Sequence, residues 1–312
     1  MAGKINLCVV AGPTASGKTD VAIQLAKRFD GEVVSADSMQ IYRGLSIATA
    51  KPSREEMQGI THHLMDFLEP DTGFSVAQYV QLAATAVEQI TQRGHLPILC
   101  GGTGLYIHSL IDNITFSPMP GDRTLREMLL ARAQKEGGLA LLQELAQKDP
   151  QTAQRLHPND ITRIVRALEI LRLTGVPMSE WQKNSRNTPS PYRLCMIGLD
   201  YTDRQKLYNR INQRVDRMLE QGLVKEAKYF YSLSNADTAA QAIGYKELKP
   251  YLDGQISLEE AAENLKRETR RYAKRQLTWL RRDDRIHWVK MDEAEPTKKI
   301  LKIMQEFMEN YG

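Results

Sequence analysis

The 312-residue sequence predicts an α/β fold, a parallel sheet flanked by helices and interrupted by an all-helical insertion. Three observations predict it. Short β-rich apolar runs alternate with stretches of helical periodicity. A glycine-rich loop follows the first apolar run directly. One gap of more than ninety residues between apolar runs carries only helix signals.

Taken in order, the strand candidates are Ile5–Ala11, Glu32–Ala36, Leu96–Cys100, Arg193–Leu199 and Arg285–Val289. Between them the periodicity predicts helices at Gly17–Phe29, Ser75–Arg93, Asp203–Gln221, Leu223–Leu233 and Leu258–Arg282, with a last amphipathic helix over Glu293–Tyr311. The long gap reads as Asp122–Lys135, Leu139–Lys148 and Ile161–Thr174, bracketed by "FSPMPGD" and "NTPSPY". Proline clusters of this kind mark hinges. The expected organisation is a core of residues 1–116 and 191–312 carrying a helical insertion at 117–190; a continuous helical layer on the same domain is the alternative.

Composition excludes several classes of function. With 42% hydrophobic and 26% charged residues the chain reads as a globular protein. No apolar stretch approaches the roughly 20 residues of a membrane helix. Ile5–Val10 is too short for a signal peptide and leads straight into the glycine loop. Cys8, Cys100 and Cys195 are widely spaced and odd in number. They form neither a zinc pattern nor a disulfide framework, so a reducing cytoplasm is the expected home. The helix proportions suggest a monomer.

"GPTASGKT", Gly12-Pro13-Thr14-Ala15-Ser16-Gly17-Lys18-Thr19, fits G-x-x-x-x-G-K-[ST] between a strand and a helix. Such a loop turns backbone amides toward an anion and sets a lysine charge on the outer phosphate. The Thr19 hydroxyl suits Mg²⁺. The fold expected is therefore P-loop NTPase-like. A P-loop hydrolase also needs a strand ending in an acid that holds the metal. "LPILCGGTGLY" ends instead in Gly101-Gly102-Thr103-Gly104, which counts against an ordinary ATPase. A small-molecule or nucleotide kinase remains open.

Asp37 follows the second strand candidate at its carboxyl end, where α/β sheets place ligands. A turn or helix-cap residue, or a second-sphere magnesium ligand, are the other readings of an aspartate there. Arg210, Arg214 and Arg217 recur on one helical face and offer a further anion contact, alternatively a solvated basic face. Spacing alone does not decide which of them would hold it. Adjacent His62 and His63 point to opposite sides of an extended segment and have no third ligand nearby, so a structural role is expected. Near the C-terminus Lys266, Arg267, Arg270, Arg271, Lys274, Arg275, Arg281, Arg282 and Arg285 interleave with Tyr272 and Trp279. With Arg155, Arg163, Arg166 and Arg172 of the insertion they form the footprint expected of a folded RNA.

"GPTASGKT", "SADSMQIYRGLSIATAKP", "CGGTGLYI", "HPNDITRIVRALEI", "AIGYKEL" and "TRRYAKRQLTWLRR" together resemble the successive signatures of the bacterial tRNA dimethylallyltransferases, over Ile5 to about Trp288. The resemblance implies transfer of a dimethylallyl group from dimethylallyl diphosphate to N6 of the adenosine 3′ of the anticodon. The P-loop would then grip a leaving diphosphate, with Mg²⁺ on Thr19. It implies Asp37 as general base, Thr103 as a further catalytic group, and a basic side chain from a later helix, for which Arg214 is favoured and Arg210 is the alternative. It implies contacts to a tRNA anticodon stem-loop from Asp37, Ser38, Met39, Gln40, Thr103 and Arg126. Further contacts are implied for Thr162, Arg163, Ile164, Val165 and Arg166, and for Gln241, Ala242, Ile243, Gly244, Tyr245 and Lys246, although Ile164 and Val165 also fit a helix-bundle core. Adenylate prenyltransferases share the loop, and a non-catalytic RNA-binding module is a third class.

Overall fold

The computed structural model describes residues 3–116, 121–185, 187–233 and 243–311. The described residues divide into two compact units, one of 1–111 with 191–312 and one of 112–190.

The larger unit is built on a six-stranded parallel sheet. Its strands are β1 (Ile5–Ala11), β2 (Gly31–Ala36), β3 (His62–His63), β4 (Leu96–Gly101), β5 (Tyr192–Asp200) and β6 (Ile286–Lys290), in the order β3-β2-β4-β1-β5-β6. Alternate residues of β1 enter different cores: Leu7, Val9 and Ala11 one, Cys8 and Val10 the other. A strand covered on both faces has no solvent side, so its sequence is an unbroken apolar run. On one face lie α1 (Lys18–Arg28) and, with Ile300, Met304 and Phe307, α13 (Pro296–Tyr311). On the other lie α2 (Val76–Gln92), opened by a Ser75–Gln78 capping box, and α3 (Gly104–Ile111).

In the smaller unit, α4 (Arg123–Glu136), α5 (Gly138–Lys148), α6 (Pro150–Ala153), α7 (Ile161–Thr174) and α8 (Met178–Asn184) enclose their own apolar core, which includes Leu129, Leu141, Leu145 and Leu168. Asp149 is buried there because it caps α6 through Thr152 N (3.0 Å) and accepts from Ser179 N (3.0 Å). Four more helices complete the larger unit: α9 (Arg204–Glu220), α10 (Leu223–Ser232), α11 (Tyr245–Leu252) and α12 (Leu258–Leu280). They form a third core with the loop residues Ile41, Tyr42 and Leu45.

The expected α/β class and P-loop-like sheet are what the structure has. β3, α3, α6, α8 and α11 are additional to the expected elements. The last helix begins at Pro296 rather than Glu293, because proline suits the first helical position and lacks the amide to extend the helix backwards. No helix among the described residues is long and apolar enough to cross a membrane.

Candidate active site

β1 lies between β4 and β5, while the chain runs from β1 to β2 on one side and reaches β5 on the other. Strand order therefore reverses at the carboxyl end of β1, where parallel sheets open a ligand crevice. Residues 12–19 occupy this point. Ala15 (φ 63°) and Gly17 (φ 91°) adopt left-handed backbone angles, folding the loop back on itself ahead of α1. The first amides of α1 lack intrahelical partners and add the positive end of the helix dipole.

The loop borders a cavity of about 690 Å³ whose lining includes Lys18, Asp37, Arg210, Arg214, Arg217 and Tyr272. All three α9 arginines face it, and they differ. Arg210 is exposed and spends its Nε–H on Ala15 O (2.9 Å). Arg217 is exposed too. Arg214 is partly buried with neither a hydrogen bond nor an ion pair among the described residues. Burial lowers its affinity for the proton, opposed by the charge of Asp37. Lys18 Nζ donates to Pro13 O (2.7 Å). Burial pulls its pKa down to about 8, and Arg214 adds to the effect, against the carboxylate charge of Asp37. Two buried or half-buried cations without carboxylate partners among the described residues make a site suited to an anion.

Asp37 ends β2. Its Oδ1 accepts from Met39 N (2.9 Å) and Gln40 N (3.4 Å), fixing the carboxylate in an Asx turn. Oδ2 has no hydrogen-bond partner among the described residues. The turn reading and the base reading are thus compatible, one oxygen serving each. Thr103 Oγ1 accepts from Ser38 N (3.1 Å), tying the β4 loop to the Asp37 turn. Burial raises the Tyr272 phenol well above its usual value, with the Asp37 charge adding to the rise and the neighbouring Thr103, Arg275 and Gln276 opposing it.

Gln276 on α12 was not singled out in the sequence. Its Oε1 accepts from Thr14 N (2.8 Å) and its Nε2 donates to Gly102 O (3.0 Å), bridging the P-loop to β4. The glycines of "CGGTG" let α12 come this close. A Cβ on Gly102 would lie 2.1 Å from Gln276 Nε2, and one on Gly104 would lie 2.1 Å from Trp279 Cδ1. A neutral amide on α12 thus joins the P-loop to the loop after β4.

Among the expected RNA contacts, some side chains are buried and others are paired within their own unit. Ile164 (0% exposed) and Val165 (2%) belong to the core of the smaller unit and have no side-chain surface to offer. Tyr245 (0%) is likewise inside, stacked on Phe230 at 4.5 Å with its hydroxyl on Glu226. Arg126 and Arg166 stay accessible but share the buried carboxylate of Glu169, at 3.0 Å and 2.6 Å. Arg163 is exposed and loosely paired with Asp160 at 3.7 Å; Thr162 at the start of α7 is exposed also. Ser38, Met39, Gln40, Ile243 and Gly244 line the cavity, and Lys246 is exposed beside it in sequence. Gln241 and Ala242 lie outside the described residues.

Among the described residues no group of three or more His, Cys, Asp or Glu side chains could hold a metal. His62 instead bonds Ile60 O through Nδ1 (2.9 Å), and His63 pairs with Glu32 (2.6 Å). The Thr19 hydroxyl has no partner among the described residues. One free hydroxyl beside a phosphate loop fits Mg²⁺, which takes most of its oxygens from phosphate and water.

A sequence profile of the family described as IPP transferase matches residues 40–283. The chain is 46% identical over 309 residues to a tRNA dimethylallyltransferase of Acetivibrio thermocellus, covering 98% of each. It is 48% identical over 301 residues to one of Halalkalibacterium halodurans, covering 96% of each. Among solved structures it is similar to a full-length tRNA isopentenylpyrophosphate transferase from Bacillus halodurans, with 45% identity, a TM-score of 0.72, and 98% and 96% of the two chains covered. A eukaryotic dimethylallyltransferase acting on tRNA is 29% identical with a TM-score of 0.84, over 99% of this chain and 80% of that one.

Proposed function

The chain belongs to the IPP transferase family, and we propose that it moves a dimethylallyl group from dimethylallyl diphosphate to N6 of the adenosine immediately 3′ of the anticodon in tRNA, releasing diphosphate. The observation that carries the reading is one cavity holding two unpaired cations, Lys18 and Arg214, together with the free oxygen of Asp37.

The P-loop amides, Lys18 and Arg214 bind the diphosphate. As the allylic C1–O bond breaks, its electron pair passes to the leaving diphosphate, and these groups stabilise the growing charge more than they stabilise the intact donor. N6 forms the new bond to C1 and loses a proton to Asp37 Oδ2. The exocyclic amine is a weak nucleophile, so an oriented carboxylate within reach accelerates the step. Thr19 would hold Mg²⁺, which would supply further neutralisation of the diphosphate. An adenine leaves a single-stranded anticodon loop at lower cost than it leaves a duplex, and so reaches the cavity.

The test offers radiolabelled dimethylallyl diphosphate with an anticodon stem-loop RNA and with AMP, side by side. Label in RNA, dependent on Mg²⁺ and reduced at least about a hundredfold in Asp37→Asn, is the expected result. Label in AMP alone, or ATP consumption with a small acceptor, would overturn the reading.

A further inference from the structure

Ser46–Ala50 forms a stretch of the cavity wall. It is a single turn, with Ala50 N on Ile47 O (2.9 Å) and Lys51 N on Ser46 O (2.9 Å). A turn this short does not hold its shape alone, and its leading amides have no internal acceptors. Glu226, far away in sequence on α10, takes them. Its Oε2 accepts from Ser46 N (2.9 Å) and Ile47 N (2.8 Å), and its Oε1 from Ala48 N (2.9 Å) and the Tyr245 hydroxyl (2.8 Å). At the other end of the turn, Gln40 Nε2 donates to Thr49 O and Ala50 O, each at 3.3 Å.

Gln40 thereby links the turn to the Asp37 carboxylate, because its backbone amide donates to Asp37 Oδ1 at 3.4 Å. Its side-chain amide is committed to this scaffold, with Oε1 accepting from Ser35 Oγ (3.2 Å). Behind Glu226 the support is rigid: Tyr245 is fully buried, and Gly244, at φ 124°, sits so close that a Cβ there would lie 3.1 Å from Ala48 Cβ. No hydrogen bond among the described residues joins the turn to residues 12–19.

We infer that Glu226 is a positioning residue for the acceptor base: through Ser46–Ala48 and Gln40 it sets the wall and the carboxylate that the base must meet, without touching the diphosphate grip. The inference rests on the prenyl-transfer reading of the cavity. The chemistry requires a carboxylate. Two acceptor oxygens match four donors, whereas an amide in the same place offers one oxygen and turns its NH₂ against backbone N–H groups.

The experiment measures label transfer to stem-loop RNA by Glu226→Gln, Glu226→Asp and Tyr245→Phe, with hydrogen exchange on the same proteins. In Glu226→Gln, kcat/KM for RNA is expected to fall about tenfold or more, the effect of losing charge-assisted hydrogen bonds. The KM for dimethylallyl diphosphate stays within about twofold. Exchange quickens in peptides covering 46–50 and not in those covering 12–19. Tyr245→Phe, which keeps the three amide bonds, stays within about threefold of the parent. Glu226→Asp carries the same test if the glutamine variant does not fold. Unchanged kcat/KM for RNA despite faster exchange at 46–50 overturns the inference, as does an equal rise in KM for both substrates. Failure of the prenyl-transfer reading shows separately, as absence of label in RNA with the parent protein.

Discussion

Lys18 gives the site a pH dependence whose sign and size follow from its surroundings. Burial brings its pKa from the usual 10.5 to about 8. In the empty cavity the ammonium is therefore lost as pH rises through 8. A bound diphosphate restores it, because an opposite charge favours the charged form. Donor affinity should then weaken by the factor 1 + 10^(pH − 8), about tenfold between pH 7 and pH 9. The assay is the dissociation constant of dimethylallyl diphosphate measured without RNA across that range. Lys18→Met should bind weakly and show no such slope. The same burial acts on stability. A group whose folded pKa is depressed in this direction leaves the unfolded chain binding more protons between about pH 8 and 10.5, so stability rises with pH across that window. Below it the whole penalty is present. At 1.36 kcal/mol per pH unit, the fall from 10.5 to about 8 corresponds to roughly 3 kcal/mol. Lys18→Met should accordingly raise the urea midpoint at pH 7 while abolishing transfer. A donor affinity flat from pH 7 to 9, with a methionine variant no more stable than the parent, would refute the reasoning.

Arg214→Met should raise the donor dissociation constant about ten- to a hundredfold, the worth of one charge-assisted contact, while Arg210→Met, whose guanidinium is exposed and already on Ala15 O, should raise it several-fold less. Gly104→Ala drives a methyl to within 2.1 Å of the Trp279 indole, and displacement of α12 should lower stability by about 2 kcal/mol or more in urea unfolding. Glu169→Ala should destabilise by about 1–3 kcal/mol, read from the unfolding midpoint, because Arg126 and Arg166 then lose their shared buried acceptor.

What could be read from sequence divides along physical lines. The central strands were legible because a doubly covered strand has no polar face, and the P-loop because its glycines and lysine serve one backbone geometry. Strand β3 was not: His62–His63 is extended only because it pairs with Val33 and Val34, a tertiary cause that leaves no apolar run. Helix α3 follows a glycine string that reads as loop until α12 is seen lying over it. Asp37 and the α9 arginines could be found by their place after a strand and along a helix face. Spacing could not rank Arg214 above Arg210; burial and the absence of a partner do. Gln276 and Glu226 carry no signal at all, since each is one polar residue on a helix whose backbone partners lie at least 174 residues away in the chain.

The two residues missed by sequence explain why this P-loop suits a leaving group. A nucleotide hydrolase spends the strand beside its P-loop on an acid that fixes the metal. Here that strand ends in Gly101 and Gly102, and Gln276 spans the gap with one hydrogen bond to each side. A neutral bridge holds the loop without adding a further negative charge beside Lys18 and Arg214, as the proposed diphosphate site requires. The proposed proton acceptor stands instead after β2, at Asp37, beside a wall braced by Glu226. In the proposed mechanism, anion grip and proton acceptor thus follow different strands and have separate supports. Substitution at Gln276 should therefore appear first in donor affinity, and substitution at Glu226 first in the use of RNA.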